Sequence, residues 1–277
     1  MKGYSISELC RIADVGRSSY YKWNTRLESD ADRENAMILE VLAHLYIEVK
    51  GIYGYRRMTM NINLKLNKRY NHKRIYRLMK SANMRSVIRK KKKAYVVSIP
   101  QITAENVLNR VFTAEKPNQK WLTDVTEFKL TNGQKAYLSA ILDLGDKSIV
   151  SYVLGHSNNN QLVFETFDMA VRANPSAKPL FHSDRGFQYT NKQFKRKLDS
   201  INATQSMSRV SRCIDNGPME GFWGILKSEM YHLEKFHTYE QLKVAIDEYI
   251  DFYNTRRLQK KLKGLTPIGY RNQTLAL

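Results

Sequence analysis

The sequence predicts a small, basic all-α region followed by an α/β domain built on a five-stranded mixed sheet. Three observations carry this. Apolar residues recur at helical spacing through roughly the first 95 residues. Between 120 and 154, three strand-like segments are separated by turn signals, and from 160 onward helix-like and strand-like segments alternate. The charge is also uneven: of a net +20 over 277 residues, residues 51–100 hold 15 Lys and Arg and no Asp or Glu.

From the start of the chain, Ser5 and Glu8 have capping-box spacing, and Ile6, Leu9, Ile12 and Ala13 follow at helical intervals up to Gly16. Residues 18–27 suit a second short helix. This pair, within a segment 1–34, reads equally as a miniature helix-turn-helix or as a plain helical hairpin. Residues 36–49 form an amphipathic helix with Met37, Leu39, Leu42, Leu45 and Val49 on its apolar side, and Gly51 and Gly54 break it. A helix then runs to about Leu66, Asn67 to Tyr70 turns the chain, and Asn71 caps a further helix to Ala82. That last helix carries Lys73, Arg74, Arg77 and Lys80, with Arg56 and Arg57 before it and the run Arg89, Lys90, Lys91, Lys92 and Lys93 after it. Two helices joined by a short turn, the second basic, suit a helix-turn-helix-like DNA-binding domain over 35–95. Residues 96–115 read as a linker.

The remainder, 116–277, has a different texture. Residues 120–129 alternate as a strand, Thr131-Asn132-Gly133 turns, 136–144 gives a second strand, Gly145-Asp146-Lys147 turns again, and 149–154 gives a third. A helix over 160–173 stops before Pro175, and 179–183 is a short apolar strand ending at Asp184. A right-handed strand-helix-strand crossover lays this fourth strand parallel beside the first. A helix over 191–200, a strand over 203–207 and a loop over 209–217 follow. Pro218 opens a helix to about His232 with Glu220 in its first turn, and Thr238 with Gln241 caps a closing helix to about Tyr253. Three antiparallel strands followed by alternating helices and strands is the order of the ribonuclease H-like fold.

The charge pattern is the footprint of a polyanionic partner, most often nucleic acid, held through phosphates; with the helix-turn-helix-like helices, double-stranded DNA is the partner expected. Cys10 and Cys213 are the only cysteines and neither has a ligand at zinc-finger spacing, so no disulfide framework or zinc module is expected. No segment reads as a signal peptide or membrane span. The chain is expected to remain in the compartment where it is made.

Three carboxylates stand out: Asp124 on the first strand, Asp184 at the end of the fourth, and Glu220 at the start of a helix. Phosphodiester transfer uses two hard divalent cations about 4 Å apart, held mainly by carboxylate oxygens. Asp124 is placed to bridge two Mg2+ ions, Mn2+ being able to replace them, with Asp184 flanking one ion and Glu220 the other. Lys227, two helical turns beyond Glu220, falls on the same face and suits a DNA phosphate. His182 reads as structural, Asp215 and Asn216 as helix caps, Asp143 and Asp146 as hairpin residues, and Phe222, Trp223 and Tyr231 as packing.

Around these residues, Trp121-x-Thr123-Asp124-Val125-Thr126, His182-Ser183-Asp184-x-Gly186-x-Gln188-Tyr189, and Met207-Ser208-Arg209 with Cys213-x-Asp215-Asn216-x-Pro218-Met219-Glu220 resemble the second-frame (OrfB-type) transposases of the insertion sequence three family. That family lies within the DDE transposase and retroviral integrase superfamily. Thirty-five residues separate Asp184 from Glu220, as in that family. The segments Gly51-Ile52-Tyr53-Gly54-Tyr55-Arg56-Arg57, Tyr253-Asn254-x-Arg256-Arg257 and Leu262-x-Gly264-Leu265-Thr266-Pro267 match as well, so the likeness covers nearly the whole chain.

The resemblance implies a metal-dependent DNA strand transferase that cleaves and joins DNA at element ends without a covalent protein intermediate, assembled as a homo-oligomer on DNA in the cytoplasm of a prokaryote, near the nucleoid. It also implies a partner in the helix-turn-helix protein of the upstream frame, whose segment is not found after Met1. Gly217 departs from the Ala more usual in the family. An alternative reading is a DNA-binding partner or modulator of the frameshift-fused transposase. A ribonuclease on RNA-DNA hybrids shares the core but has no use for an acid-free basic arm.

Overall fold

The computed structural model describes residues 4–88, 105–209 and 213–276. The chain divides into two compact units, residues 1–86 and 87–277.

The first unit is all α. Helix α1 (Ile6–Ile12) has the expected capping box, and with α2 (Arg17–Asn24) it forms a small helical pair. Helix α3 (Asp30–Glu48) begins several residues before the expected start. The reason is local: the Ser29 hydroxyl accepts the Asp32 N–H and the Asp32 carboxylate accepts the Ser29 N–H, each at 3.2 Å. The expected division between 34 and 35 therefore falls inside a continuous helix. Helices α4 (Tyr55–Lys65) and α5 (His72–Ser81) pack on α3 around Ile38, Leu42, Met58, Ile62 and Ile75, all fully buried. Asn71 caps α5 as its sequence implies, accepting the Lys73 N–H at 2.8 Å. Glu34 on α3 accepts from Lys68 (2.8 Å), Tyr70 (3.0 Å) and Arg74 (2.7 Å), so one carboxylate gathers the turn and the start of α5.

The second unit contains the five-stranded sheet, in the order β3-β2-β1-β4-β5. Strands β1 (Lys120–Lys129), β2 (Lys135–Asp143) and β3 (Ile149–Gly155) form the antiparallel meander. After α6 (Asn160–Ala173), β4 (Leu180–Ser183) returns parallel to β1; after α7 (Lys192–Ser200), β5 (Thr204–Met207) adds parallel to β4. These elements lie within a residue or two of their expected bounds.

Alternation along β1 sorts the core. Trp121 buries with Phe167, Phe181 and Phe194 on the α6–α7 side, whereas Leu122 buries with residues of α8 (Gly217–Leu226) and α9 (Tyr239–Thr255). Even-numbered β1 positions near the site therefore face α8. Helix α8 gives way at Lys227–Tyr231 to a single π-helical turn, shortening the expected helix. Inside that turn Glu229 is buried and holds Arg257 through two bonds of 2.8 and 2.6 Å. A last helix, α10 (Pro267–Leu275), was not expected; Thr266 caps it and Pro267 opens it. Its Arg271 bonds Asp143 at 3.0 Å and also reaches Asp146, so these two buried aspartates serve α10 as well as the β2–β3 turn.

Of the expected basic residues, Arg89 to Lys93 and the first part of the 96–115 linker lie outside the described residues.

Candidate active site where β4 ends beside β1

The parallel register sets Lys120 against Leu180, Trp121 against Phe181 and Leu122 against His182. Two residues beyond the last pair stand Asp124, still on β1, and Asp184, just past the end of β4, so the register brings these carboxylates near enough for the charge of Asp184 to act on Asp124. Strand β4 stops at Ser183 because Asp184 begins a tight turn, its Oδ1 accepting the Gly186 N–H at 2.9 Å. A Cβ on Gly186 would lie 2.8 Å from the Gln188 side chain and 3.0 Å from Asp184 Oδ1, so a larger residue there would crowd the carboxylate.

Asp124 is fixed from two sides. Its Oδ1 accepts the Val125 N–H at 2.8 Å and its Oδ2 accepts the Trp223 indole N–H at 3.0 Å. Trp223 lies one helical turn after Glu220, on the same face of α8. At the N-terminus of that helix, Asn216 Nδ2 donates to the carbonyl of Thr123 at 3.0 Å. Two bonds thus dock α8 on β1 around Asp124, with Glu220 between them in sequence, exposed in the first turn of the helix. Gly217 has open space where a Cβ would stand, so the departure from alanine leaves this docking untouched.

The electrostatics mark a site short of positive charge. Burial, and then the charge of Asp184, push the Asp124 carboxyl up to about 7, with Glu220 adding to the effect. Burial also raises the Asp184 carboxyl, which the Gly186 N–H opposes. Among the described residues no three His, Cys, Asp or Glu side chains are clustered tightly enough to hold a metal ion. The structure brings Asp124 and Asp184 together, and leaves Glu220 at the edge on an exposed side chain. The residues still fit divalent cations: the donors are hard carboxylate oxygens, and the crowded, desolvated negative charge is what such an ion relieves.

Lys227 points back into the unit. Its Nζ donates to the Glu127 carbonyl at 3.0 Å and lies 5.1 Å from the Phe128 ring centroid. Burial lowers its pKa, opposed by the charges of Glu127 and Asp124.

His182 is structural, as expected: buried between Ser206 Oγ (2.9 Å) and Ser208 Oγ (3.1 Å), it is pushed down to about 4, chiefly by burial. The capping roles expected of Asp215 and Asn216 do not hold. Asn216 spends its amide on β1, and the buried Asp215 is held by Arg209, Arg110 and Asn106. Trp223 packs as expected, and its indole N–H also serves the site, a role that packing alone does not imply but that its i, i+3 spacing from Glu220 signals.

In the helical unit, Lys73, Arg77 and Lys80 are exposed along one face of α5, and Arg56 is exposed at the start of α4. Arg74 is half-buried and committed to Glu34 and Asn35. Arg57 is half-buried with its guanidinium 5.0 Å from the Tyr53 ring.

Fold and site together define a catalytic core of the integrase kind. The Integrase core domain family matches residues 114–213, a second family of the same description matches 220–275, and the HTH-like domain family matches 32–92. The protein InsK of insertion sequence element IS150 from Escherichia coli (strain K12) is 41% identical over 98% of this chain and 95% of its own length. Transposase InsF of insertion sequence IS3A, from the same organism, is 28% identical over 99% of this chain and 96% of its own. Among solved structures, a simian T-cell lymphotropic virus intasome in complex with a PP2A regulatory subunit shares the fold at 16% identity and a TM-score of 0.50, over 83% of this chain and 74% of that one.

This chain belongs to the IS150/IS3-family transposases. It is a DDE polynucleotidyl transferase of DNA transposition and integration, a class that uses divalent metal ions.

Proposed function

We propose that Asp124, Asp184 and Glu220 are the catalytic carboxylates, that together they hold two Mg2+ ions, for which Mn2+ can substitute, and that the reaction is cleavage and joining of DNA strands at the ends of an insertion sequence. The observation that supports this reading is the β1–β4 register, which brings Asp184 near Asp124, combined with the Trp223 bond that docks the Glu220 helix on Asp124.

When bound, the ions would activate the attacking oxygen and stabilise the departing one. The protein's part is positional. Asp124, locked by Val125 and Trp223, offers a carboxylate that does not swing, and the Gly186 turn fixes Asp184. Glu220 completes the set from a helix whose first turn is tied to β1 through Asn216. Lys227, close enough to feel the Asp124 charge, stands ready to meet a DNA phosphate by exchanging its carbonyl partner.

The DNA duplex is held, in this reading, by the exposed face of α5 with Lys73, Arg77 and Lys80, by Arg56, and by the run Arg89 to Lys93 on charge grounds alone. Arg74 and Arg57 support the fold of the unit rather than touching DNA. Joining two element ends calls for more than one active site, so the working form is a homo-oligomer on DNA, and the upstream-frame protein is a partner for end recognition. The place of action is the cytoplasm, at the nucleoid.

Strand transfer on labelled duplex oligonucleotides with Mg2+ or Mn2+ tests the assignment, comparing the chain with Glu220→Gln. Metal-dependent products that vanish in the variant are expected. Binding by both proteins without cleavage, even with the upstream-frame protein added, would favour the DNA-binding modulator instead.

A further inference from the structure

Asp215 is fully buried, and its carboxylate carries more positive charge than it needs. Arg209 alone satisfies it with a two-pronged grip, Nε to Oδ2 at 2.9 Å and Nη2 to Oδ1 at 3.1 Å, and the Arg209 backbone N–H adds a bond of 3.0 Å. Asn106 Nδ2 supplies a further donor at 2.9 Å. A second guanidinium is nevertheless present: Arg110 Nε donates to Oδ1 at 2.6 Å. Burial by itself would raise the Asp215 carboxyl, but the two arginines hold it well below the usual carboxylate range. The group therefore keeps one positive charge in excess.

That excess faces solvent. The side chains of Arg110 and Arg209 are 38% and 45% exposed, against 0% for Asp215. Among the described residues, the two terminal nitrogens of Arg110 and Nη1 of Arg209 have no hydrogen-bond partner. A guanidinium pinned at one edge and open at the other presents parallel N–H groups suited to phosphate.

The position is beside the proposed carboxylates. Arg209 follows Ser208, whose N–H donates to the Ser183 carbonyl at 2.9 Å, one residue before Asp184. Asp215 precedes Asn216, which holds the residue before Asp124. Arg110 enters from the segment ahead of β1, so three separate stretches of chain converge there.

We propose that Arg110 and Arg209, oriented by Asp215, form a clamp for a backbone phosphate of the DNA strand next to the bond being cut. This rests on the reading of Asp124, Asp184 and Glu220 as the catalytic carboxylates.

The test replaces single phosphates near the cut, one at a time, with uncharged methylphosphonate, and compares the full chain with Arg110→Gln. That variant leaves Asp215 gripped by Arg209. In the unsubstituted chain one position is expected to lower kcat/KM about tenfold or more, the scale of one charge-assisted contact. In Arg110→Gln the same replacement should cost little further, because the partner is already missing, and the loss should fall on KM. Should that variant not fold, Arg110→Lys, which keeps charge without the fork, should show reduced sensitivity at the same position. Equal sensitivity at every position in the chain and its folded variant would overturn the clamp. If the chain cuts no unmodified duplex, the catalytic reading has failed, and the same comparison read as DNA binding by gel shift still decides the clamp: position-specific coupling supports it, and its absence overturns it.

Discussion

The indole N–H of Trp223 donates to Asp124 Oδ2 at 3.0 Å, joining a helix to the central strand at the carboxylate proposed to bridge two ions. A donor of this kind fixes the orientation of an oxygen ligand and tunes its basicity. Trp223→Phe keeps most of the packing and removes only the donor. Strand cleavage is expected to fall about 10–100-fold, the usual range for an outer-shell partner. Thermal melting should fall much less, since the residue also buries against Phe222. A melting loss as complete as that of a core truncation, with activity per folded molecule unchanged, would refute the role.

The sheet and the nearness of Asp184 to Asp124 were legible because they follow from local rules. Turn residues at Gly133 and Gly145 delimited the meander, and the right-handed crossover dictated that β4 would lie against β1, which places Asp184 near Asp124. What was not legible depends on partners distant in sequence. Asp215 and Asn216 have the composition of caps, but their side chains are claimed by Arg110 and Thr123, about a hundred residues away. The π-turn at Lys227–Tyr231 likewise follows a tertiary demand, the burial of Glu229 against Arg257, which no helical periodicity announces. Helix α10 was missed although Thr266 and Pro267 signalled its start.

The helical unit should lose stability in acid through Glu34. Bonds from Lys68, then Arg74, then Tyr70, hold its carboxyl down to about 2, from an ordinary 4.5. A depressed carboxyl contributes stability above its unfolded value, and that contribution is lost as pH falls through the folded one. The contribution is therefore expected to decline between about pH 4.5 and 2. Melting curves of the full chain and Glu34→Gln should converge across that window; a constant gap between them would count against the assignment. At neutral pH, Arg74→Ala should lower melting while Arg77→Ala lowers DNA affinity with melting unchanged.

The Glu229–Arg257 pair is closed off from water, with side chains 3% and 5% exposed. Removing one partner strands a charge, so Arg257→Ala is expected to destabilise the catalytic unit by about 3–5 kcal/mol. Replacing both by methionine should recover part of that loss, because an apolar pair of similar volume avoids the desolvation cost, while the buried Tyr249 hydroxyl loses the Glu229 oxygen it donates to at 2.9 Å. Denaturant titration of the two variants decides it: an equal loss in both would mean the charges themselves are required. The pair also holds the turn that begins at Lys227, so the double variant should also change the response of cleavage to Lys227→Ala.

Asp124 should make the metal-free chain pH-sensitive in the opposite sense to Glu34. Its carboxyl is pushed up to about 7, by burial first and by Asp184 second. Between the unfolded value of about 3.9 and the folded one, the folded state holds a proton that the unfolded chain has released, so stability falls as pH rises. The contribution is full below about pH 4 and gone above about pH 7. Asp124→Asn removes this slope, and should melt higher than the unsubstituted chain at pH 8 without metal. Divalent cation binds the ionised carboxylates of the folded state and raises melting as its concentration exceeds its dissociation constant. Millimolar Mg2+ or Mn2+ is therefore expected to raise melting of the unsubstituted chain at pH 8, to do so less at pH 5, and to leave Asp124→Asn almost unmoved. An equal rise in both proteins would place the ion elsewhere.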